Sequence, residues 1–131
     1  MADGKGSVAG FVVVMERYGF TVPEKSSIFV GVINDLIVAD LPLPFSYVAC
    51  STLWGDRGPC VIKQSLVGPS GVHIADVPDQ PVLLQGGRKT QQFAELHGFM
   101  LSELGHHEHQ IFIDDQLIAV FPFEVFPQSV K

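Results

Sequence analysis

Basic residues and long apolar runs are scarce in this chain, and each scarcity excludes a class of protein. Lysine and arginine number 8 against 14 acidic residues, a net charge of −6, so binding along a nucleic-acid backbone is not expected. No apolar run approaches the roughly 20 residues that a membrane-spanning helix needs, so a soluble protein with no membrane partner is predicted. The apolar segment Val8 to Met15 is no secretory signal, because Asp3 lies in the would-be basic region and no cleavage site is visible.

Cysteine is equally scarce. Cys50 and Cys60 are the two in the chain, and they flank a turn predicted at residues 55–58. If that turn joins a hairpin, Cys50 opposes Lys63 and Cys60 opposes Leu53, so the two thiols do not face each other. We therefore expect two buried free thiols in a reducing, cytoplasmic compartment.

Motifs that carry catalysis or bind a cofactor are also missing. The loop at residues 86–89 lacks the following helix and the Lys-Ser/Thr pair of a phosphate-binding loop. Ser70 lacks the Gly-x-Ser-x-Gly frame of a nucleophile elbow, and Asp114 and Asp115 are explained by a solvated turn. The sequence therefore predicts no catalytic residue, no cofactor and no enzymatic activity.

What the chain has is a series of short apolar runs separated by turn residues. Hydrophobic residues make up 47% of the sequence and charged residues 17%, which suits one globular core. Two hairpins are predicted, from Phe45 to Val67 and from Gly105 to Phe126, with a single helical turn at residues 101–104. The prediction is an all-β, single-domain antiparallel β-sandwich of about eight strands over residues 1–131, with residues 1–7 disordered. Its strand order, immunoglobulin-like or jelly-roll, stays open.

The order of these pieces resembles a family of small bacterial β-sandwich proteins known only as a domain of unknown function. The matching pieces are Ile28 to Asn34, Leu41-Pro42, Pro69-Ser70-Gly71, Gly105 to Asp115 and Leu117 to Val125. The resemblance implies the β-sandwich fold and supplies no catalytic residues.

The last hairpin departs from the resembling family at two places, and both introduce polar side chains. Asp115 replaces the turn glycine, and His107 and His109 occupy positions that usually hold aromatic or aliphatic core residues. Because side chains alternate along a strand, His107 and His109 share one face with two isoleucines. One interpretation is a pair of neutral, hydrogen-bonded residues at the core edge. The alternative is a metal or small-ligand site in which His73 or His97 supplies a third ligand.

Apolar residues on both faces of the closing hairpin point to a binding surface. Alternate residues from Leu117 to Val125 are expected to face the core, yet apolar residues also fill the opposite face. A strand that is apolar on both faces is covered on both, so we predict an interface on the outer face. The segment Phe11 to Met15 is two-sided in the same way. The predicted interface residues are Phe112, Ile118, Val120 and Phe126.

The function predicted from this surface is a non-enzymatic interaction or structural module. Its partner is a second copy of the chain or another protein. The competing explanation is that the loop at residues 41–45 or the turn at 101–104 folds over the apolar face.

Overall fold

A computed structural model describes residues 6–20, 27–86 and 88–128 of the chain. These residues form nine strands and no helix, so no described helix could cross a membrane. The strands are β1 (Val8–Phe20), β2 (Ser27–Val32), β3 (Asp35–Val38), β4 (Leu43–Gly55), β5 (Gly58–Val67), β6 (His73–Leu84), β7 (Thr90–Leu101), β8 (Gly105–Ile113) and β9 (Gln116–Pro127).

The nine strands form a β-sandwich of two packed sheets. One sheet has four strands in the order β2-β1-β4-β7, and the other has five in the order β3-β9-β8-β5-β6. Neighbouring strands run antiparallel except β3 and β9, which are parallel. The all-β sandwich expected from the sequence is confirmed, whereas the helical turn predicted at 101–104 is wrong because β7 continues to Leu101.

The turn at residues 55–58 is not a hairpin turn. It carries the chain from β4 in one sheet to β5 in the other, so the predicted register of Cys50 and Cys60 across a hairpin is wrong. Turn residues specify a reversal of the chain but not which sheet the next strand joins. Both cysteines are nevertheless buried and outside any disulfide, as expected.

The start of β1 packs against this same turn. The amide of Ser7 donates to Asp56 Oδ1 at 2.8 Å, and Arg57 Nε donates to the carbonyl oxygen of Gly6 at 3.1 Å. Gly6 and Ser7 are therefore ordered, while residues 1–5 of the predicted disordered segment lie outside the described residues. Gly55, with φ +143°, is required here, because a Cβ at this position would lie 2.2 Å from the carbonyl oxygen of Ser7.

The hydrophobic core lies between the two sheets. Strand β8 has one face on this core, because every second residue from His107 to Ile113 is buried and the residues between them are not. Such alternation is the period of a strand that has one face on a core. The largest side chains buried with these residues are Tyr47, Phe123, Leu53, Ile62, Leu66, Leu84 and Leu101.

Strands β8 and β9 form the predicted closing hairpin. Asp114 and Asp115 connect them with φ values of 47° and 68°, the left-handed pair of a two-residue type I′ turn. Asp114 Oδ1 accepts a hydrogen bond from the Val61 amide at 3.0 Å, and Asp115 lies 3.1 Å from Lys63 Nζ. These contacts hold two aspartates in a conformation that glycine adopts more readily.

A β-bulge follows the turn and reverses part of the predicted face assignment. Ile111 pairs with Ala119 whereas Phe112 pairs with Leu117, so Ile118 is the extra residue. Leu117, predicted to face the core, is 48% exposed, while Ile118 is half-buried and packs against the core. Alternation in the sequence does not reveal an inserted residue. Each bulge switches the residues beyond it to the opposite face of the strand.

Candidate functional site

Two of the three histidines of β8 lie in the interior. His107 and His109 are fully buried between the sheets, on the same face of β8 as Ile111 and Ile113. The predicted face is therefore confirmed, and the two side chains are core residues.

Two hydrogen bonds hold the imidazole of His109. Its Nε2 lies 2.8 Å from Gln64 Oε1, and its Nδ1 lies 2.7 Å from the Tyr47 hydroxyl. Because the Gln64 oxygen can only accept, Nε2 carries the proton and Nδ1 accepts a hydrogen bond from Tyr47. Burial lowers the pKa of His109 to about 4 and raises the pKa of Tyr47, so both side chains are neutral at pH 7.

His107 is satisfied on one side only. Its Nδ1 donates to the carbonyl oxygen of Gly105 at 2.9 Å, which leaves Nε2 as a buried acceptor with no hydrogen-bond partner among the described residues. The ring stacks on Phe123, with centroids 5.4 Å apart and an interplanar angle of 14°. An unpaired buried acceptor costs stability, so the two neighbouring histidines differ in their energetic roles.

The four histidines proposed as metal ligands are not brought together. His73 on β6 is exposed and contacts Asp76 Oδ1 at 2.9 Å, and His97 on β7 is exposed and contacts Glu95 Oε1 at 2.9 Å. Both nitrogens of His109 are already engaged. Within residues 6–20, 27–86 and 88–128, no group of three or more histidine, cysteine or acidic side chains could hold a metal ion.

The outer face of the five-stranded sheet carries a charged cluster that sequence analysis missed. His106 lies between Glu108 and Glu124, with Nε2 2.9 Å from Glu108 Oε2 and Nδ1 bonded to Glu124. Hydrogen bonds to Glu108 and Glu124 raise the pKa of His106, because two carboxylates favour the doubly protonated ring. Gln110 extends the cluster by donating to Glu108 Oε1 at 3.0 Å. The signal was present in the sequence, since alternation places these residues opposite His107 and His109.

The predicted interface residues are dispersed around this cluster. Val120 is 36% exposed and Phe126 46%, whereas Phe112 is half-buried. The pairing register places polar residues among them, because Gln110 lies opposite Val120 and Glu124 lies opposite His106. The closing hairpin therefore presents a polar outer face with separate apolar side chains rather than a continuous stripe.

A second apolar cluster lies on the outer side of the four-stranded sheet. There Met15, Val48 and Cys50 form a second buried cluster, separate from the core, with Val13 and Phe93 packed against it. We call these five residues the outer cluster.

The outer cluster is arranged in adjacent rows across three strands. Met15 pairs with Val48, and Val13 pairs with Cys50, which in turn pairs with Phe93 on β7. The next row adds Phe11, which is 47% exposed and packs edge-on against Trp54 at a centroid distance of 6.0 Å.

Strand β4 is consequently buried on both faces. Every residue from Tyr47 to Leu53 is buried, with Tyr47 facing the core and Val48 and Cys50 facing outward. Burial raises the pKa of the Cys50 thiol to about 11, which makes it a packing residue rather than a nucleophile. The two-sided apolar segment Phe11 to Met15 was the sequence signal for this surface.

One groove lies between the edge strands β6 and β7. It encloses about 560 Å³ and includes Val72, Ile74, Phe99 and Met100. Ser70, at its margin, donates a hydrogen bond to Glu103 Oε1 at 3.0 Å. The hydrogen-bond partner of Ser70 is therefore a carboxylate rather than the histidine of a Ser-His-Asp triad.

Solved structures share this fold at low sequence identity. A β-glucosidase from Listeria innocua in complex with glucose has a TM-score of 0.52 and 15% identity over 95% of this chain. An alkylpurine DNA glycosylase from Pseudomonas fluorescens, bound to DNA containing an abasic-site analogue, has a TM-score of 0.51 and 12% identity over 93% of this chain. A β-glucosidase from Kluyveromyces marxianus has a TM-score of 0.50 and 13% identity over 91% of this chain.

The chain spans only a small part of these proteins. It covers 17% of the Listeria enzyme, 30% of the DNA glycosylase and 14% of the Kluyveromyces enzyme. No protein-family model and no curated protein matches the chain. The likeness therefore establishes the β-sandwich fold and nothing about activity.

Proposed function

We propose that this domain is a non-enzymatic interaction module that self-associates through the outer face of its four-stranded sheet. The observation that carries the proposal is the outer cluster. A solvent-facing sheet surface is normally polar, whereas here Val48 and Cys50 are buried on the side away from the core.

A second copy of the chain suits this face because the face is complementary to itself. In the rows from Phe11 to Met15 and their partners on β4 and β7, the charged residue is Glu95, at the β7 edge. An uncharged apolar centre with charge at its margin is the composition of homodimer interfaces. Two such sheets related by a twofold axis would pack face to face about 10 Å apart, as sheets do within a sandwich.

Two further observations support a role without catalysis. Cys50 is buried, and Ser70 donates a hydrogen bond to the carboxylate of Glu103. In addition, structures of the same fold belong to proteins with unrelated activities, two glucosidases and a DNA glycosylase. A scaffold shared by such different chemistries does not itself supply a reaction.

The experiment compares one substitution on each outer face by light scattering. Phe11→Glu places a charge at the exposed margin of the outer cluster, and Val120→Glu is the matched control on the closing hairpin. We expect a wild-type dimer, a monomeric Phe11→Glu protein and a dimeric Val120→Glu protein, because a charge buried in an apolar interface costs several kcal/mol.

Circular dichroism checks that both variants are folded. Dissociation by Val120→Glu alone would transfer the interface to the hairpin residues Phe112, Val120 and Phe126. A wild-type protein that is monomeric at high concentration would refute the proposal.

A further inference from the structure

A hydrogen bond inside the core joins the two sheets directly. Tyr47 belongs to β4 of the four-stranded sheet and His109 to β8 of the five-stranded sheet, and their side chains meet at 2.7 Å. The two rings are 5.6 Å apart at 74°. Phe99 and Phe123 pack edge-on against Tyr47 at 5.3 Å and 6.4 Å, which encloses the bond in aromatic side chains.

The bond requires a neutral imidazole. His109 Nε2 donates to Gln64, so Nδ1 is the atom that accepts the Tyr47 proton. A second proton on the ring would occupy Nδ1 and remove this acceptor. The Tyr47 hydroxyl could then no longer donate to this nitrogen, and its own proton would lose the acceptor that it has when the ring is neutral.

The surroundings offer no counter-charge to a protonated ring. The titratable groups that face it are Tyr47 from β4 and His107 from β8, and Cys60 lies further along the inner face of β5. The pairing neighbours of His109 on β5 and β9 are Leu66 and Phe121. Among the described residues, the buried polar side chains include no carboxylate, lysine or arginine. An imidazolium in such a place is unpaired, which is strongly unfavourable.

We propose that the Tyr47–His109 pair is an acid-released latch between the two sheets, closed when His109 is neutral and opened by its protonation. The latch is independent of the proposed self-association, because it lies on the inner side of β4 and the outer cluster on the other side.

Release within the folded protein follows the folded-state pKa of His109, whereas the loss of stability begins at the higher pKa of the unfolded state. An unfolded histidine titrates near 6.5, and burial lowers the pKa of His109 in the fold to about 4. The unfolded chain therefore binds the proton first, so stability contributed by His109 is complete above pH 6.5 and declines towards pH 4. His106, whose pKa is raised by Glu108 and Glu124, acts in the opposite direction and must be separated experimentally.

A double-mutant cycle with Tyr47→Phe and His109→Phe isolates the latch. Unfolding by urea is measured for wild type, both single variants and the double variant, at pH 7 and at pH 4. At pH 7 the two substitutions should be coupled by about tenfold in the unfolding equilibrium constant, the size of one buried hydrogen bond. At pH 4 the coupling should fall below about twofold, since part of the population is protonated and the bond is absent.

His106→Gln provides the control for the opposing outer-face titration, and it should leave the coupling unchanged at both pH values. Equal coupling at pH 7 and pH 4 would overturn the proposal.

A measurement on the wild-type protein decides the matter if a core variant fails to fold. Nitrogen-15 chemical shifts should show His109 protonated on Nε2 alone at pH 7, with a slowly exchanging Tyr47 hydroxyl proton that disappears as His109 titrates. A ring protonated on Nδ1 at pH 7, or a hydroxyl signal that persists after titration, would contradict the latch.

Discussion

The two outer faces of this sandwich are built on the same scaffold but differ in chemistry. On the five-stranded sheet, His106, Glu108 and Glu124 form a hydrogen-bonded polar cluster that suits contact with water. On the four-stranded sheet, the corresponding outward positions of β4 are Val48 and Cys50, both buried by neighbouring side chains. The inner faces of both sheets form the core, so the chemical difference between the sheets lies on their outer faces.

The comparison also shows where a hydrophobic surplus is placed. In sequence, the closing hairpin carries apolar residues at both odd and even positions. The bulge at Ile118, however, directs that side chain against the core. Two of the remaining outward apolar residues, Val120 and Phe126, are separated by the pairs Pro122–Glu108 and Glu124–His106. The apolar residues that lie together outside the core are instead those of the outer cluster, mainly on β1 and β4.

The largest expected effect comes from placing the same charge on each face. Val48→Asp buries a carboxylate in the outer cluster and should lower the free energy of unfolding by about 3–5 kcal/mol. Val120→Asp, at a partly exposed site on the polar face, should cost less than about 1 kcal/mol. Urea denaturation of both variants measures the difference. Equal costs would mean that the two faces do not differ as described.

The second comparison lies inside the sandwich, between the two buried histidines. His109→Phe leaves the Tyr47 hydroxyl and Gln64 unpaired and should destabilise the protein by about 1–3 kcal/mol. His107→Phe removes an unpaired Nε2 and keeps a ring against Phe123, so the melting temperature should hold or rise. Thermal unfolding at pH 7 separates the two. A larger loss from His107→Phe would show that Nε2 has a partner.

A smaller effect is expected at the turn that ends the polar face. Asp115 adopts φ 68°, a conformation that glycine tolerates without a steric cost. Asp115→Gly should therefore raise the free energy of unfolding by about 0.5–1 kcal/mol. The lost contact with Lys63 is exposed and contributes little. Asp115→Ala is the matched control, since it also removes the carboxylate but should destabilise the turn.

The smallest expected effect is the difference in protonation between His106 on the outer face of β8 and His109 on its inner face. Glu108 and Glu124 raise the pKa of the exposed His106, so its contribution to stability is complete below pH 6.5 and is lost as pH rises through the raised value. Burial lowers the pKa of His109, so its contribution to stability is lost as pH falls. A nuclear magnetic resonance titration should place His106 above 6.5 and His109 well below it. The reverse order would contradict the assignment of the inner and outer faces.

Sequence analysis identified local structure better than the arrangement of strands. The alternation from His107 to Ile113 located β8 and its buried face, and Asp114-Asp115 located the hairpin turn. The segment 55–58 was also correctly assigned as a turn. That β4 and β5 enter different sheets could not be inferred, because the contacts that decide it come from β1 and β7, distant in sequence.

The candidate surfaces were limited by the same missing information. The two-sided apolar character of Phe11 to Met15 was visible in the sequence. Its continuation onto β4 and β7 depends on which strands pair, for example Cys50 with Phe93. The partners of His109, Tyr47 and Gln64, lie 62 and 45 residues away along the chain and carry no local signal.

Self-association through the outer cluster is tested most directly by isotope-filtered nuclear Overhauser spectroscopy on a mixture of labelled and unlabelled protein. This measurement detects contacts between two copies and assigns them to side chains. We predict intermolecular signals that connect Phe11, Val13 and Phe93 of one copy with the same face of the other. Intermolecular signals from Val120 and Phe126 instead, or none at a concentration where light scattering gives a dimer, would contradict the account.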